Sequence, residues 1–263
     1  MVSEPPATNP FHQTLTNYEA RTTANWRMVY HSSLSLSDLF SRKRKDETAD
    51  AGTDWPVYPT KALAKFLASL NARSQRLLLD LGPVVGTNVT FFGEELGCKI
   101  HVEDVFKDID RHVTEGKLDA LSSFLAGRFA QEDGTVDGIL CWDVFDYLDK
   151  ASAQALAREL VRILRPDGAL FALFNIVEAA TKAPPGFTRY VVADRQNLQY
   201  RSYRGARGKQ RPLSPRDIQR LFEPLRITEQ FLLKNNLREV LFRKPIAETT
   251  TAEGEPAGHR AAD

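Results

Sequence analysis

Cysteine is scarce in this chain of 263 residues: Cys98 and Cys141 lie in apolar runs, far apart in sequence. Two thiols cannot build a disulfide framework or a four-ligand zinc site by themselves, so both read as buried core residues in a reducing compartment. The five histidines, His12, His31, His101, His112 and His259, show no H-x-x-x-H spacing, and no metal site is expected. There is no G-x-S-x-G turn and no Cys–His pair, which argues against nucleophilic hydrolysis. No segment reaches the roughly eighteen apolar residues that span a bilayer. Residues 1–10 are polar and proline-rich with no apolar core for a signal peptide, so the expected location is cytoplasmic. Charge of one sign is also missing. A formal net charge of +1 excludes a generic polyanion binder, although local basic patches remain possible.

The apolar share of 42% is that of an ordinary globular protein, enough for one sizeable core. Residues 1–10 and 245–263 are rich in Pro, Thr, Ala, Gly and Glu and are expected to be disordered ends. Residues 11–74 read as a helical extension and linker. Phe11, Tyr18, Trp26 and Tyr30 are scattered through its first part, and the basic run Ser41-Arg42-Lys43-Arg44-Lys45 reads as a solvated linker. A helix is expected over 60–70, with Leu63, Phe66, Leu67 and Leu70 at helical spacing.

From residue 76 the pattern becomes alternating strands and helices. Leu77-Leu78-Leu79 is a continuous apolar run ending in Asp80-Leu81-Gly82, as for a central parallel strand. Thr87 or Asn88 can cap a short helix that stops near Gly97. Residues 99–102 give a second strand ending in Glu103-Asp104. Leu118, Leu121, Ser122, Leu125 and Phe129 mark a helix face, and a very short strand near 127–130 is left open. Residues 136–142 form another buried strand, followed by a helix with Leu156, Leu160, Val161 and Leu164 inside. Arg165-Pro166-Asp167-Gly168 reads as a turn before a strand over 169–174. Ser214-Pro215 starts a helix, and Lys234-Asn235-Asn236 separates two closing strands. The fold class expected is α/β: a doubly wound, mostly parallel Rossmann-like sheet with a final antiparallel strand.

In such a sheet, ligands sit beyond the carboxyl ends of the strands, where strand order reverses. Three features collect there. Asp80-Leu81-Gly82-Pro83-Val84-Val85-Gly86-Thr87-Asn88 is a strand-to-helix turn whose glycines let backbone approach a ligand. Glu103 or Asp104 offers a carboxylate to a ribose diol, Glu103 being favoured because it directly follows the apolar strand end. Cys141-Trp142-Asp143 puts an indole and a carboxylate beside the same crevice. The absence of G-x-G-x-x-G and the closing antiparallel hairpin disfavour a nicotinamide-dependent oxidoreductase.

Residues 77–86 resemble motif I of class I methyltransferases. Val136-Asp137-Gly138-Ile139-Leu140-Cys141-Trp142-Asp143-Val144 looks like their fourth strand, Leu164-Arg165-Pro166-Asp167-Gly168-Ala169-Leu170 resembles the turn before their fifth, and the final helix and hairpin match their ending. The resemblance covers about 75–244 and departs at Val84, which stands where the family has its middle glycine. It implies a methyltransferase using S-adenosylmethionine, with a cofactor site of Asp80, Gly82, Pro83, Gly86, Asn88, Glu103, Asp104 and Trp142. Asp80, Gly82 and Gly86 would face the methionine portion, and Asp143 is the candidate general base toward an unidentified acceptor. A scaffold protein that keeps the fold without the chemistry is the alternative, with Val84 in its favour. The insertion at about 185–212 carries Arg189, Arg195, Arg201, Arg204, Arg207, Lys209 and Arg211 with Tyr190, Tyr200 and Tyr203 interleaved. It reads first as a hairpin with a solvated polar face and second as cover for the acceptor; a nucleic-acid role is not favoured.

Overall fold

A computed structural model describes residues 54–70, 76–177 and 185–246. The expectations for residues 1–10, for the aromatics and basic run of 11–53 and for 247–263 lie outside the described residues. Strand β1 (Val57–Pro59) leads into helix α1 (Ala62–Leu70), whose apolar face is Leu63, Phe66, Leu67 and Leu70 as the spacing predicts. Then follow β2 (Arg76–Asp80), α2 (Gly86–Thr90) with a wider π turn over Phe91–Glu95, β3 (Cys98–Val102) and α3 (Val105–Thr114). Helix α4 (Leu121–Leu125), β4 (Val136–Trp142), α5 (Lys150–Ile163) and β5 (Leu164–Asn175) continue the alternation. Strands β6 (Gly186–Asp194) and β7 (Asn197–Arg204) form a hairpin, and α6 (Pro215–Leu221), β8 (Arg226–Leu232) and β9 (Leu237–Arg243) finish the domain.

The main sheet has the order β3-β2-β4-β5-β9-β8. The β2/β3, β2/β4 and β4/β5 pairs are parallel, and β9 is antiparallel to both β5 and β8. This is the doubly wound, mostly parallel sheet the alternation predicts. Its faces carry separate apolar clusters. One gathers Phe106, Leu125, Leu156, Leu160 and Phe222 from α3, α4, α5 and the end of α6. The other gathers Phe66, Leu67, Phe92, Trp142, Phe171, Tyr190 and Leu198, from α1, the π turn and the hairpin. Burial on both faces explains why the central strands read as unbroken apolar runs rather than as alternations.

Two expectations need correction, the α2 cap and the Arg165–Gly168 turn, and the strand left open near 127–130 and the unread helix α3 are settled. Residues 126–135 form no strand, so β3 is left as the sheet's edge. Helix α3 was missed although Val105, Phe106, Ile109 and Val113 stand at helical spacing; its cap is Asp104, which accepts a hydrogen bond from the Lys107 amide at 3.0 Å. Helix α2 starts after Val85 with no side-chain cap, so neither Thr87 nor Asn88 caps it. The Arg165–Gly168 turn is absorbed into β5 as an irregularity, with Asp167 at φ 60°. The Ser214 cap, by contrast, holds as expected, its hydroxyl accepting from the Asp217 amide.

The hairpin is larger than the sequence suggested. It pairs over Gly186–Asp194 and Asn197–Arg204, and β7 takes β1 on its other side, making a separate three-stranded antiparallel sheet. One face is not solvated: Tyr190, Val192 and Leu198 are buried in the α1-side cluster.

Candidate active site

Strand order reverses between β2 and β4, and the side chains at their carboxyl ends meet there. The Asp80 carboxylate is buried, and its Oδ1 accepts the Gly82 amide at 2.9 Å and the Trp142 indole Nε1–H at 2.6 Å. Burial pushes the Asp80 carboxyl up to about 6, against the pull of those two donors. Trp142 closes β4 at φ 50°, in the left-handed region, and this turns its indole back over the glycine loop. A Cβ at Gly82 would lie 2.8 Å from the indole Cδ1, so only glycine admits this packing. Backbone hydrogen bonds from Leu81 to Leu140 and from Glu103 to Asp80 hold the three strand ends together.

Glu103 is buried at the end of β3. Its carboxylate pairs with the Arg128 guanidinium at 2.7 Å and faces the Gln131 amide at 3.4 Å. Arg128 also reaches Asp108 at 2.8 Å. Asp104 spends one oxygen on the α3 cap, and burial raises its carboxyl. The two acidic neighbours thus differ: Asp104 holds a helix, and Glu103 presents its carboxylate beside the crevice.

Asn88 serves a purpose the sequence did not indicate. Its Nδ2 donates to the Tyr190 carbonyl at 2.9 Å and its Oδ1 accepts the Val192 amide at 2.8 Å, joining the glycine-loop helix to β6. The Tyr190 ring lies flat on Trp142, centroids 5.4 Å apart and planes 7° from parallel. Pro83 and Val84 are half-buried, and Val84 packs against the cluster containing Trp142 and Tyr190.

Beyond β4 lies a second polar group. Asp143 is fully buried, its Oδ2 2.8 Å from Lys209 Nζ and 3.4 Å from the Tyr147 hydroxyl, which donates to it. Asp143 Oδ1 has no hydrogen-bond partner. Asp146, one 3₁₀ turn on, also reaches Lys209 at 3.1 Å and accepts the Asn175 amide at 2.9 Å. Burial pushes the Asp146 carboxyl up to about 6 while Lys209 pulls it down. Burial alone would lower the Lys209 ammonium, but the two carboxylates outweigh it and raise it. The Lys209 ammonium also sits 5.6 Å from the Tyr147 ring centroid.

The structure therefore brings Asp80, Gly82, Asn88, Glu103 and Trp142 to one crevice, with Asp143 beside it; Gly86 begins α2. Sequence reasoning missed Arg128, Gln131, Asp146 and Lys209. Asp146 follows Asp143 at one-turn spacing, a signal that was available. Arg128 and Lys209 come from distant segments and carry no local one. Among the described residues, no three His, Cys, Asp or Glu side chains are grouped to hold a metal ion, and no helix is long and apolar enough to cross a membrane.

Residues 79–172 match the family described as a methyltransferase domain, the segment from β2 to β5 that carries the crevice. No curated protein matches the chain in sequence. Among solved structures, the chain is similar to 1,6-didemethyltoxoflavin-N1-methyltransferase from Burkholderia thailandensis, crystallised with 1,6-didemethyltoxoflavin and S-adenosylhomocysteine: 13% identity, 93% of this chain and 94% of that one covered, TM-score 0.41. The PH0226 protein from Pyrococcus horikoshii OT3 gives 15% identity, 86% and 98% coverage and TM-score 0.41. A SAM dependent methyltransferase from Aquifex aeolicus gives 15%, 77% and 97%, and 0.39. Likeness at that level assigns nothing by itself. Residues 79–172 match a methyltransferase domain, and the sheet that contains them is doubly wound and mostly parallel with an antiparallel closing strand. A match to this domain implies S-adenosylmethionine as the methyl donor.

The side chains fit that cofactor in kind: carboxylates end two adjacent strands, a glycine between them allows close approach, and a buried carboxylate oxygen beyond β4 is unpartnered. The space over Gly82 is held by the chain's own indole.

Proposed function

We propose that this protein transfers a methyl group from S-adenosylmethionine to an acceptor held between the carboxyl end of β4 and the β6–β7 hairpin. The observation that carries the reading is the meeting of Asp80, Gly82, Glu103 and Trp142 at the strand-order switch, within the segment matched by the methyltransferase family. When bound, the cofactor supplies a methyl carbon made electrophilic by its sulfonium. Glu103 accepts hydrogen bonds from the ribose hydroxyls, held in place by Arg128. Asp80, Gly82, Pro83, Gly86 and Asn88 form the loop that receives the methionine portion, and the ring of Trp142 excludes water. The main demand on the protein is alignment of donor and acceptor.

Asp143 is the base in this reading. Its unpartnered Oδ1 takes the acceptor's proton, while Lys209 and Tyr147 hold Oδ2. The setting is cytoplasmic, consistent with Cys98 and Cys141 as free, buried thiols. Residues 75–244 form the catalytic unit, with the hairpin as its acceptor-side insertion.

The test offers S-adenosylmethionine with a panel of amine, hydroxyl and thiol small molecules and follows S-adenosylhomocysteine release. Asp143→Asn should bind the cofactor normally and lose about 100-fold or more in turnover. Equal turnover in the two proteins would remove Asp143 from the chemistry. A second reading, a binding protein that keeps the fold without the reaction, is favoured by the aromatic pair filling the crevice. It requires that no adenosyl compound bind.

A further inference from the structure

The hairpin lies against the cofactor crevice without being part of the main sheet. Strands β6 and β7 pair with each other and with β1 only, so no backbone ladder ties them to β2 or β4. Beyond the apolar packing of Phe187, Tyr190 and Val192, what holds β6 against the glycine loop is a short set of polar and ring contacts. The two ends of the Asn88 amide grip the backbone of Tyr190 and Val192. The Tyr190 ring lies flat on Trp142, and the Trp142 indole in turn covers Gly82 and takes an oxygen of Asp80. At the far end, Lys209 anchors the following segment to Asp143 and Asp146, and the Ala206 amide donates to Asp110.

The contacts at the glycine loop use groups that cofactor binding would also use. Asp80 and Asn88 are the polar side chains of the glycine loop, and Gly82 is where that loop allows close approach. The parallel ring contact on Trp142 is one that a flat ligand ring can replace. Side-chain contacts can be exchanged for ligand contacts at little cost, whereas a broken strand ladder could not.

Resting on the cofactor reading above, we infer that Tyr190 and strand β6 occupy the cofactor's place against Trp142 and the glycine loop, and that S-adenosylmethionine enters only as the hairpin lifts. Tyr190 is then a gating residue, and Asn88 is its latch. Because the same hairpin covers the acceptor side through Lys209 and Asp143, cofactor entry and acceptor access are coupled: the first ligand in opens the path for the second. Binding to a protein whose open form is a minor state is weakened by the fraction open, so removing the plug strengthens it.

The experiment measures S-adenosylhomocysteine association by stopped-flow on the full chain, in the wild type and in Tyr190→Ala. In the wild type the observed rate should level off as ligand concentration rises, because opening becomes limiting. In Tyr190→Ala the plateau should disappear and apparent affinity should rise by about tenfold, the scale of one aromatic stack. Asn88→Ala, which leaves the ring in place, should move both quantities the same way and serves if Tyr190→Ala does not fold. Hydrogen exchange on the wild type needs no variant: the Val192 amide, which donates to Asn88, should exchange faster when S-adenosylhomocysteine is bound. Binding with equal rates in wild type and variants, and unchanged exchange at Val192, would overturn the gate while leaving the cofactor site standing. Binding to Tyr190→Ala but not to the wild type would support the gate in its strongest form. No binding to any of the three proteins would overturn the cofactor reading and the gate with it.

Discussion

Asp80 concentrates the conflict between stability and site chemistry. Its carboxyl is buried, and its ionised form is satisfied by only two donors on one oxygen, Gly82 and Trp142. With the folded value near 6 and the ordinary value at 3.8, the folded protein holds a proton on Asp80 that the unfolded chain has already lost between those pH values. The contribution of Asp80 to stability is therefore fully present below about pH 4 and is lost as the pH rises through 6. Asp80→Asn keeps an oxygen for both donors and removes the titration. Relative to the wild type it should gain stability as the pH rises from 4 to 7, by up to about 3 kcal/mol, read from urea midpoints at the two pH values. A difference that is flat with pH, or that shrinks, contradicts the buried-carboxylate account. Loss of adenosyl-ligand affinity in the same variant is the functional counterpart of that gain.

At the scale of elements, helix α1 shows how distant sequence fixes local structure. Its first amides have no intrahelical acceptor, and Glu239 of β9, fully buried, takes the amides of Lys61 and Ala62 at 2.8 and 2.9 Å. A carboxylate at a helix N-terminus is stabilised by the aligned peptide dipoles as well as by the hydrogen bonds. Glu239→Ala should lower stability by about 2 kcal/mol in urea denaturation, since it leaves two amides without their acceptor. A variant as stable as the wild type would mean that the contact contributes nothing. Nothing in the local sequence announces the contact: Glu239 follows Arg238 in β9, and its partners lie 177 and 178 residues away. The same limit accounts for the misses at Arg128 and Lys209. The strands β2, β4 and β9 and the helices α1, α5 and α6 were legible because burial leaves apolar runs or helical periodicity. Helix α3 did carry a signal, Val105, Phe106, Ile109 and Val113 at helical spacing, broken up by Lys107, Asp108, Asp110 and Arg111. The glycine loop was legible as a strand-to-helix turn, and Glu103 as the acid after a strand. Arg128 and Lys209 reach their carboxylates from segments that only the folded chain brings near.

At the scale of the molecule, the described residues form two sheets that meet at Trp142 and Tyr190. The six-stranded sheet supplies the strand ends, and the separate hairpin sheet covers them with Tyr190. This arrangement explains how one chain can match a methyltransferase domain over residues 79–172 and still have its own rings over the glycine loop. It also makes Val84 less decisive than it seemed, since Val84 packs into the same cluster as Trp142 and Tyr190 and belongs to the closed arrangement. The most direct measurement is calorimetric titration of the folded protein with S-adenosylmethionine and S-adenosylhomocysteine, with NAD as control and Glu103→Gln in parallel. The account predicts micromolar binding of the adenosyl sulfur compounds, none of NAD, and about tenfold weaker binding in Glu103→Gln, the scale of one charge-assisted hydrogen bond. No heat of binding from either compound, in protein shown to be folded, would contradict the cofactor site and leave a methyltransferase fold without its reaction.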